Sequence, residues 1–97
     1  MRAEAQVLGK QVLRSGTSVG AHYREACRAR SNPDFINKIE GGLQALEETI
    51  YWLELLGDSN IFAKERLRPL CAEAEELSAM FVTMMKNVKQ QGDKDKK

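Results

Sequence analysis

Residues 32–56 read NPDFINKIEGGLQALEETIYWLELL, and this stretch decides the fold. Its apolar residues fall at Ile36, Ile39, Leu43, Leu46, Ile50 and Leu53. The steps alternate between three and four, the period of a helix packed on another helix. Asn32 is expected to cap the start, Pro33 suits the first helical position, and Asp34 puts negative charge at the positive end of the helix dipole. Gly57 stands where a left-handed C-terminal cap is wanted. A further apolar set, Phe35, Gly42, Ala45, Thr49, Trp52 and Leu56, widens the stripe beyond half the circumference. One partner helix cannot cover so wide a surface, so an interface between subunits is expected at Phe35, Ala45, Thr49, Trp52 and Leu56, with Trp52 as its anchor. The competing reading is a second contact within the chain. The polar face carries Glu40, Gln44, Glu47, Glu48 and Tyr51.

The rest of the chain is expected to lay further helices against this one. Residues 2–30 hold the stripe Ala5, Leu8, Val12, Ser15, Val19, His22 and Ala26, again in steps of three and four. A helical wheel groups Gly9, Gly16, Gly20 and Cys27 beside that stripe. Small residues in such a row let another backbone approach closely. Three glycines also weaken the helix by roughly 1 kcal/mol each relative to alanine, but the stripe keeps phase across them, so one continuous helix is expected. Lys10, Arg14, Arg24 and Arg28 form a basic row on the far side, about 27 Å long. A row of that length can follow phosphates, and without interleaved aromatics other than nearby Tyr23 it would read little sequence. A plain solvated face is the alternative.

Residues 31–33 make a short connection, which implies antiparallel neighbours. Gly57-Asp58-Ser59-Asn60 is a turn by composition. A third helix over residues 62–89 carries Leu67, Leu70, Ala74, Leu77, Phe81, Met84 and Val88, with a bend expected at Pro69. Residues 90–97 contain no apolar residue and are expected to be a disordered basic tail. The predicted architecture is therefore all-α: an antiparallel up-down helical bundle over residues 1–89, with helices at 2–30, 33–56 and 62–89.

Ninety-seven residues form one domain with a modest core. The net charge of +1 does not announce a polyanion partner, but its distribution is uneven. Residues 1–38 carry +4, residues 39–85 carry −6 and residues 86–97 carry +3, an acidic middle between basic ends. Cys27 and Cys71 are expected to be reduced, packed thiols, and with one histidine they complete no usual zinc site, so neither a metal nor another cofactor is expected. No apolar run reaches the length of a membrane span and no signal peptide precedes the first helix, so no membrane association and a cytoplasmic location are expected.

No spacing supports a reaction or a small-molecule substrate. Ser15 and His22 share a helix face but lie roughly 10 Å apart along the axis, too far for a nucleophile and its base. Glu47 and Glu48 diverge by about 100° on a helix. A di-metal bundle would need Glu-x-x-His pairs, and His22 lacks the acidic partner at that offset.

Two stretches carry a family likeness: Leu13-Arg14-Ser15-Gly16-Thr17-Ser18-Val19-Gly20-Ala21 followed by Glu25-Ala26, and Asp34-Phe35-Ile36-Asn37-Lys38-Ile39 continuing to Tyr51-Trp52-Leu53-Glu54-Leu55-Leu56. In combination they resemble the four-helix-bundle proteins encoded in intervening sequences of 23S rRNA genes, over about Val7 to Val88. The resemblance implies a homopentamer and a likeness to the accessory protein of diversity-generating retroelements, which works with a reverse transcriptase and binds nucleic acid. Such proteins usually carry a helix of some two dozen residues before the position matching Val7. The expectation here is three helices of a four-helix fold, the missing layer coming from upstream in the natural gene or from a neighbouring subunit. His22 stands where such proteins often have asparagine. The function expected is a non-enzymatic homo-oligomer that contacts RNA or DNA through its basic row; the alternative is a protein–protein interaction module with no nucleic-acid role.

Overall fold

The computed structural model describes residues 2–60 and 62–95 and contains three helices: α1 (Arg2–Cys27), α2 (Asn32–Asp58) and α3 (Lys64–Asp95). α1 runs unbroken through its glycines, as its continuous stripe requires. It ends at Cys27 instead of Arg30, where Arg28 and Ala29 donate backbone bonds to the carbonyls of Glu25 and Ala26, three residues back, and tighten the last turn.

Both ends of α2 differ from expectation by small shifts. Ser31, not Asn32, is the N-cap: its backbone is extended, and its hydroxyl accepts from the Asp34 N–H at 3.2 Å. Asn32 and Pro33 thereby move into the first turn. At the other end Gly57 stays inside the helix and is buried, because the start of α3 passes over it: a Cβ there would lie 3.3 Å from Lys64 Cγ. The left-handed residue is Asn60, with φ of 62°. Its short polar side chain tolerates that conformation.

α3 passes through Pro69. The proline falls in the second turn, so a single backbone bond is forfeited and the helix continues on either side. The helix also continues to Asp95, where a disordered tail was expected from Gln90. Extending an existing helix by one residue gains a hydrogen bond without a new nucleation cost, which polar residues can exploit. Residues 96 and 97 lie outside the described residues.

Neighbouring helices are antiparallel. Ser15 meets Thr49 while Glu25 meets Lys38, and a Cβ at Gly42 would touch Phe81 while one at Gly92 would approach Asn32. α2 packs against both α1 and α3, whose backbones do not approach each other closely among the described residues. α1 and α3 meet through side chains, with Tyr23 stacked on Phe81 at 5.8 Å between ring centroids. The core lies along α2: Ile39 and Leu46 are buried with Ala26, Ala74 and Phe81, and Val19, Phe35, Leu43, Ile50, Met84 and Met85 close around them.

The cross-section shows how the three helices are arranged. The chain measures 58 × 20 × 13 Å along its principal axes. Helices at the corners of a triangle, packed 8–10 Å apart, would give a backbone section of about 14 by 13 Å. Helices at three corners of a square would give about 18 by 11 Å. The observed section is close to the second figure, with α2 at the corner between α1 and α3. The fourth corner is open.

Candidate nucleic-acid and assembly surfaces

The basic row stands on the outer face of α1, with Arg28 one residue past its end, and Lys10, Arg14, Arg24 and Arg28 are all exposed. The structure removes one member. Arg14 crosses the α1–α2 seam to Glu48, 2.6 Å from its carboxylate, while its Nε donates to Gln11 Oε1 at 2.9 Å. Both partners remain half in water, so the pair adds at most about 1 kcal/mol, but it neutralises the charge locally. Lys10, Arg24 and Arg28 form no ion pair among the described residues. Glu25, the acid on the same helix, is turned to Lys38 at 3.2 Å.

The seam beneath Arg14 explains two polar residues on an otherwise apolar stripe. Ser15 is completely buried, its hydroxyl 2.9 Å from the Gln11 carbonyl and 2.8 Å from Thr49 Oγ1. Thr49 donating to Ser15, and Ser15 to Gln11, satisfies both hydroxyls. His22 Nδ1 lies 2.9 Å from the Ser18 carbonyl. A carbonyl only accepts, so Nδ1 is the donor in that contact. The opposite edge of the ring is pressed against Gly41, where a Cβ would fall 2.4 Å from Cδ2 and 2.6 Å from Nε2. Arg14, Ser15, Ser18, His22, Gln44 and Glu48 thus surround a polar recess of about 110 Å³ on the seam. The recess pairs hydroxyls with backbone and does not bring Ser15 and His22 together.

The expected interface on α2 is placed differently. Ala45 and Leu56 are buried inside the subunit, Thr49 is bonded to Ser15, and Phe35 packs against the core. The breadth of the stripe is answered within the chain: α2 is the central helix and shows its apolar sides to two partners. Trp52 is the exception. It is half-buried, sits edge-on to exposed Tyr51 at 5.0 Å between centroids, and buries an Nε1–H that has no acceptor among the described residues. An unpaired buried donor costs about 1–3 kcal/mol.

Most of the large apolar side chains left in water are on the outer helices, Val7 and Leu13 on α1 and Leu70, Leu77, Met80 and Val82 on α3. Between α1 and α3, above α2, runs a groove of about 210 Å³ lined by Val12, Gly16 and Val19 on one side and Leu70, Ala74 and Leu77 on the other. Leu46, Leu53 and Thr49 form its floor, and Glu73 is the one charged residue on its wall. The sequence stripe assigned Leu70 and Leu77 to the core, and their position on the open corner was missed. The row of Gly9, Gly16 and Gly20 was the available signal. At the end of the α2–α3 hairpin, Cys71 is half-buried, and burial, with Glu54 and Glu75 adding to it, pushes its thiol pKa up. Cys27 is an exposed thiol, so the expectation of two packed cysteines holds only in part.

With this geometry in view, the sequence model described as 23S rRNA-intervening sequence protein matches residues 1–83. The chain belongs to that family. Within the 23S rRNA-intervening sequence proteins, one solved relative is a protein of unknown function from the S23 ribosomal protein family of Bacteroides thetaiotaomicron. It is 41% identical, with a TM-score of 0.80, and the match covers 82% of this chain and 74% of that one. No curated protein matches this 23S rRNA-intervening sequence protein.

Proposed function

We propose that this chain is a non-enzymatic, self-assembling helical bundle that contacts RNA or DNA through the outer face of α1. The observation that carries the reading is the placement of Lys10 and Arg24 on one face of α1 and of Arg28 just past its end, all exposed and unpaired with any acid among the described residues, while Glu25 and Glu48 are engaged elsewhere. Such a row supplies phosphate contacts without base contacts, so binding is strongly salt-dependent and indifferent to sequence. Three phosphate contacts per subunit give a slope of log K against log salt of about −2 to −3. Self-assembly is supported by the apolar groove and by the family resemblance.

The test is fluorescence anisotropy at low salt against structured RNA, single-stranded RNA and duplex DNA. The triple variant Lys10→Glu, Arg24→Glu, Arg28→Glu should lose binding while keeping its helical circular dichroism. No binding to any of the three nucleic acids by the unaltered protein would refute the nucleic-acid half. In that case the exposed apolar surfaces favour a protein–protein module, and a nuclease-resistant partner should be recovered by pull-down.

A further inference from the structure

We infer that the outer face of α2 is a docking surface for a lysine- or arginine-rich segment of a partner protein. The inference stands apart from the nucleic-acid reading, because this face carries the opposite charge. Between Ile39 and Asn60 the chain has five acids and no lysine or arginine. All five acids are exposed, as are Gln44 and Tyr51 among them. At 100° per residue, Glu40, Gln44, Glu47, Tyr51, Glu54 and Asp58 follow one side of the helix, turned away from buried Gly42, Ala45, Leu53 and Leu56. That side is about 27 Å long.

Two of the acids are answered within the chain, Glu48 by Arg14 and Asp58 by Lys64. Glu40, Glu47 and Glu54 form no ion pair among the described residues. They recur every seventh residue, about 10 Å apart. Folding does not account for Glu54: α2 has no base in its last turn, so this acid stands near the negative end of the helix dipole. Arg68 shares the hollow at the end of the α2–α3 hairpin with Glu54 but makes no ion pair with it. Burial, then Glu54 and Glu75, push the Cys71 thiol pKa up, so the acidic field continues from α2 onto α3.

In the middle of the row, Gln44, Glu47, Glu48, Tyr51 and Trp52 line a shallow recess. Tyr51 is 55% exposed and meets Trp52 edge-on. An open aromatic ring beside a carboxylate attracts a guanidinium or ammonium group through the ring quadrupole and through charge. A polyanion is repelled by the same acids. A segment with cations at helical spacing meets Glu40, Glu47 and Glu54 in turn and lays one of its charges over Tyr51.

The experiment uses the full chain and two alanine-based helical peptides, one with arginine and one with glutamate at every third and fourth position. Trp52 is the only tryptophan, so its emission reports on this face. At low salt the arginine peptide should shift or quench that emission, the effect should fade as salt is raised, and the glutamate peptide should do nothing. Glu47→Lys with Glu54→Lys should weaken binding by about tenfold or more, and Tyr51→Ala by about two- to fivefold. Glu73→Lys with Glu76→Lys changes the net charge equally on another side of the bundle, where Glu73 lines the groove between α1 and α3, and should bind as the unaltered chain does. Should the Glu47 and Glu54 lysine variant not fold, Glu47→Gln with Glu54→Gln decides in its place. A Trp52 emission indifferent to the arginine peptide, or equal affinity in the two charge-matched variants, overturns the docking surface. If the peptide does not bind and Glu47→Lys with Glu54→Lys instead changes the sedimentation of the chain alone, the face belongs to a second copy and the inference is equally overturned.

Discussion

Gly41→Ala is the substitution on which the packing account is most exposed. A helix interior ordinarily gains about 1 kcal/mol when alanine replaces glycine. Here the new methyl would stand 2.4 Å from His22 Cδ2 and 2.6 Å from Nε2, inside any real contact distance. All three of the nearest atoms belong to the His22 ring, so the ring must yield. Swinging it away breaks the Nδ1–H bond to the Ser18 carbonyl, now 2.9 Å, for about 1 kcal/mol. Repacking the seam adds about 1–3 kcal/mol. The net expectation is a loss of about 1–3 kcal/mol, or a Tm lowered by about 5–20 °C for a domain of this size. The effect should change sign once the ring is gone: in a His22→Ala background, Gly41→Ala should stabilise by about 1 kcal/mol. The two substitutions are thus coupled by about 2–4 kcal/mol, which urea titration of the four proteins in the cycle measures directly. Stabilisation by Gly41→Ala in the unaltered chain, or an equal effect in both backgrounds, would refute the seam geometry.

Other expectations follow from single residues. Trp52→Phe removes a buried donor without an acceptor and keeps most of the ring, so subunit stability should hold or rise by up to about 1 kcal/mol; chemical denaturation showing a loss beyond about 2 kcal/mol would mean the N–H is satisfied. Ile39→Ala empties a site that is 0% exposed at the centre of the α2 core and should cost about 2–5 kcal/mol, read as a fall in denaturation midpoint. Cys71 has its thiol pKa raised, chiefly by burial and further by Glu54 and Glu75, so its alkylation should lag behind that of glutathione at pH 8 and catch up only as pH climbs. Equal rates at pH 8, followed by mass spectrometry of the labelled peptide, would contradict that placement.

Much of the fold can be read from periodicity because α2 is buried on two sides. Ile39, Leu46 and Leu53 sit at the spacing of a helix seam and are buried there. The same rule fails for Leu70 and Leu77, which keep phase with buried Ala74 and Phe81 yet remain exposed. Periodicity identifies a face; how many neighbours cover it depends on the arrangement of helices, and this one has an unfilled corner. Arg14 shows a similar limit. A helical wheel places it with the other bases, but its charge is answered by Glu48, 34 residues away, and only the register of α1 on α2 reveals that. The cap at Ser31 was one residue from its predicted place because Ser31 and Asn32 are both short polar residues, and only the position of the Asp34 N–H distinguishes them.

The glycines of the two helix pairs divide by what surrounds them, and the division bears on how α1 is held. At Gly41, Gly42 and Gly57 an added Cβ would meet His22, Phe81 or Lys64 at 3.3 Å or less, so close approach within the subunit accounts for each. At Gly9, Gly16 and Gly20 it would meet nothing. Those three cost α1 about 3 kcal/mol of helix stability relative to alanine, a large fraction of the 5–15 kcal/mol that holds a small domain folded. At those three positions no atom of the described residues lies within 4 Å to compensate for it. The stability of α1 therefore rests on its seam with α2, where Ser15 is bonded to Thr49 and Ala26 is buried with Ile39.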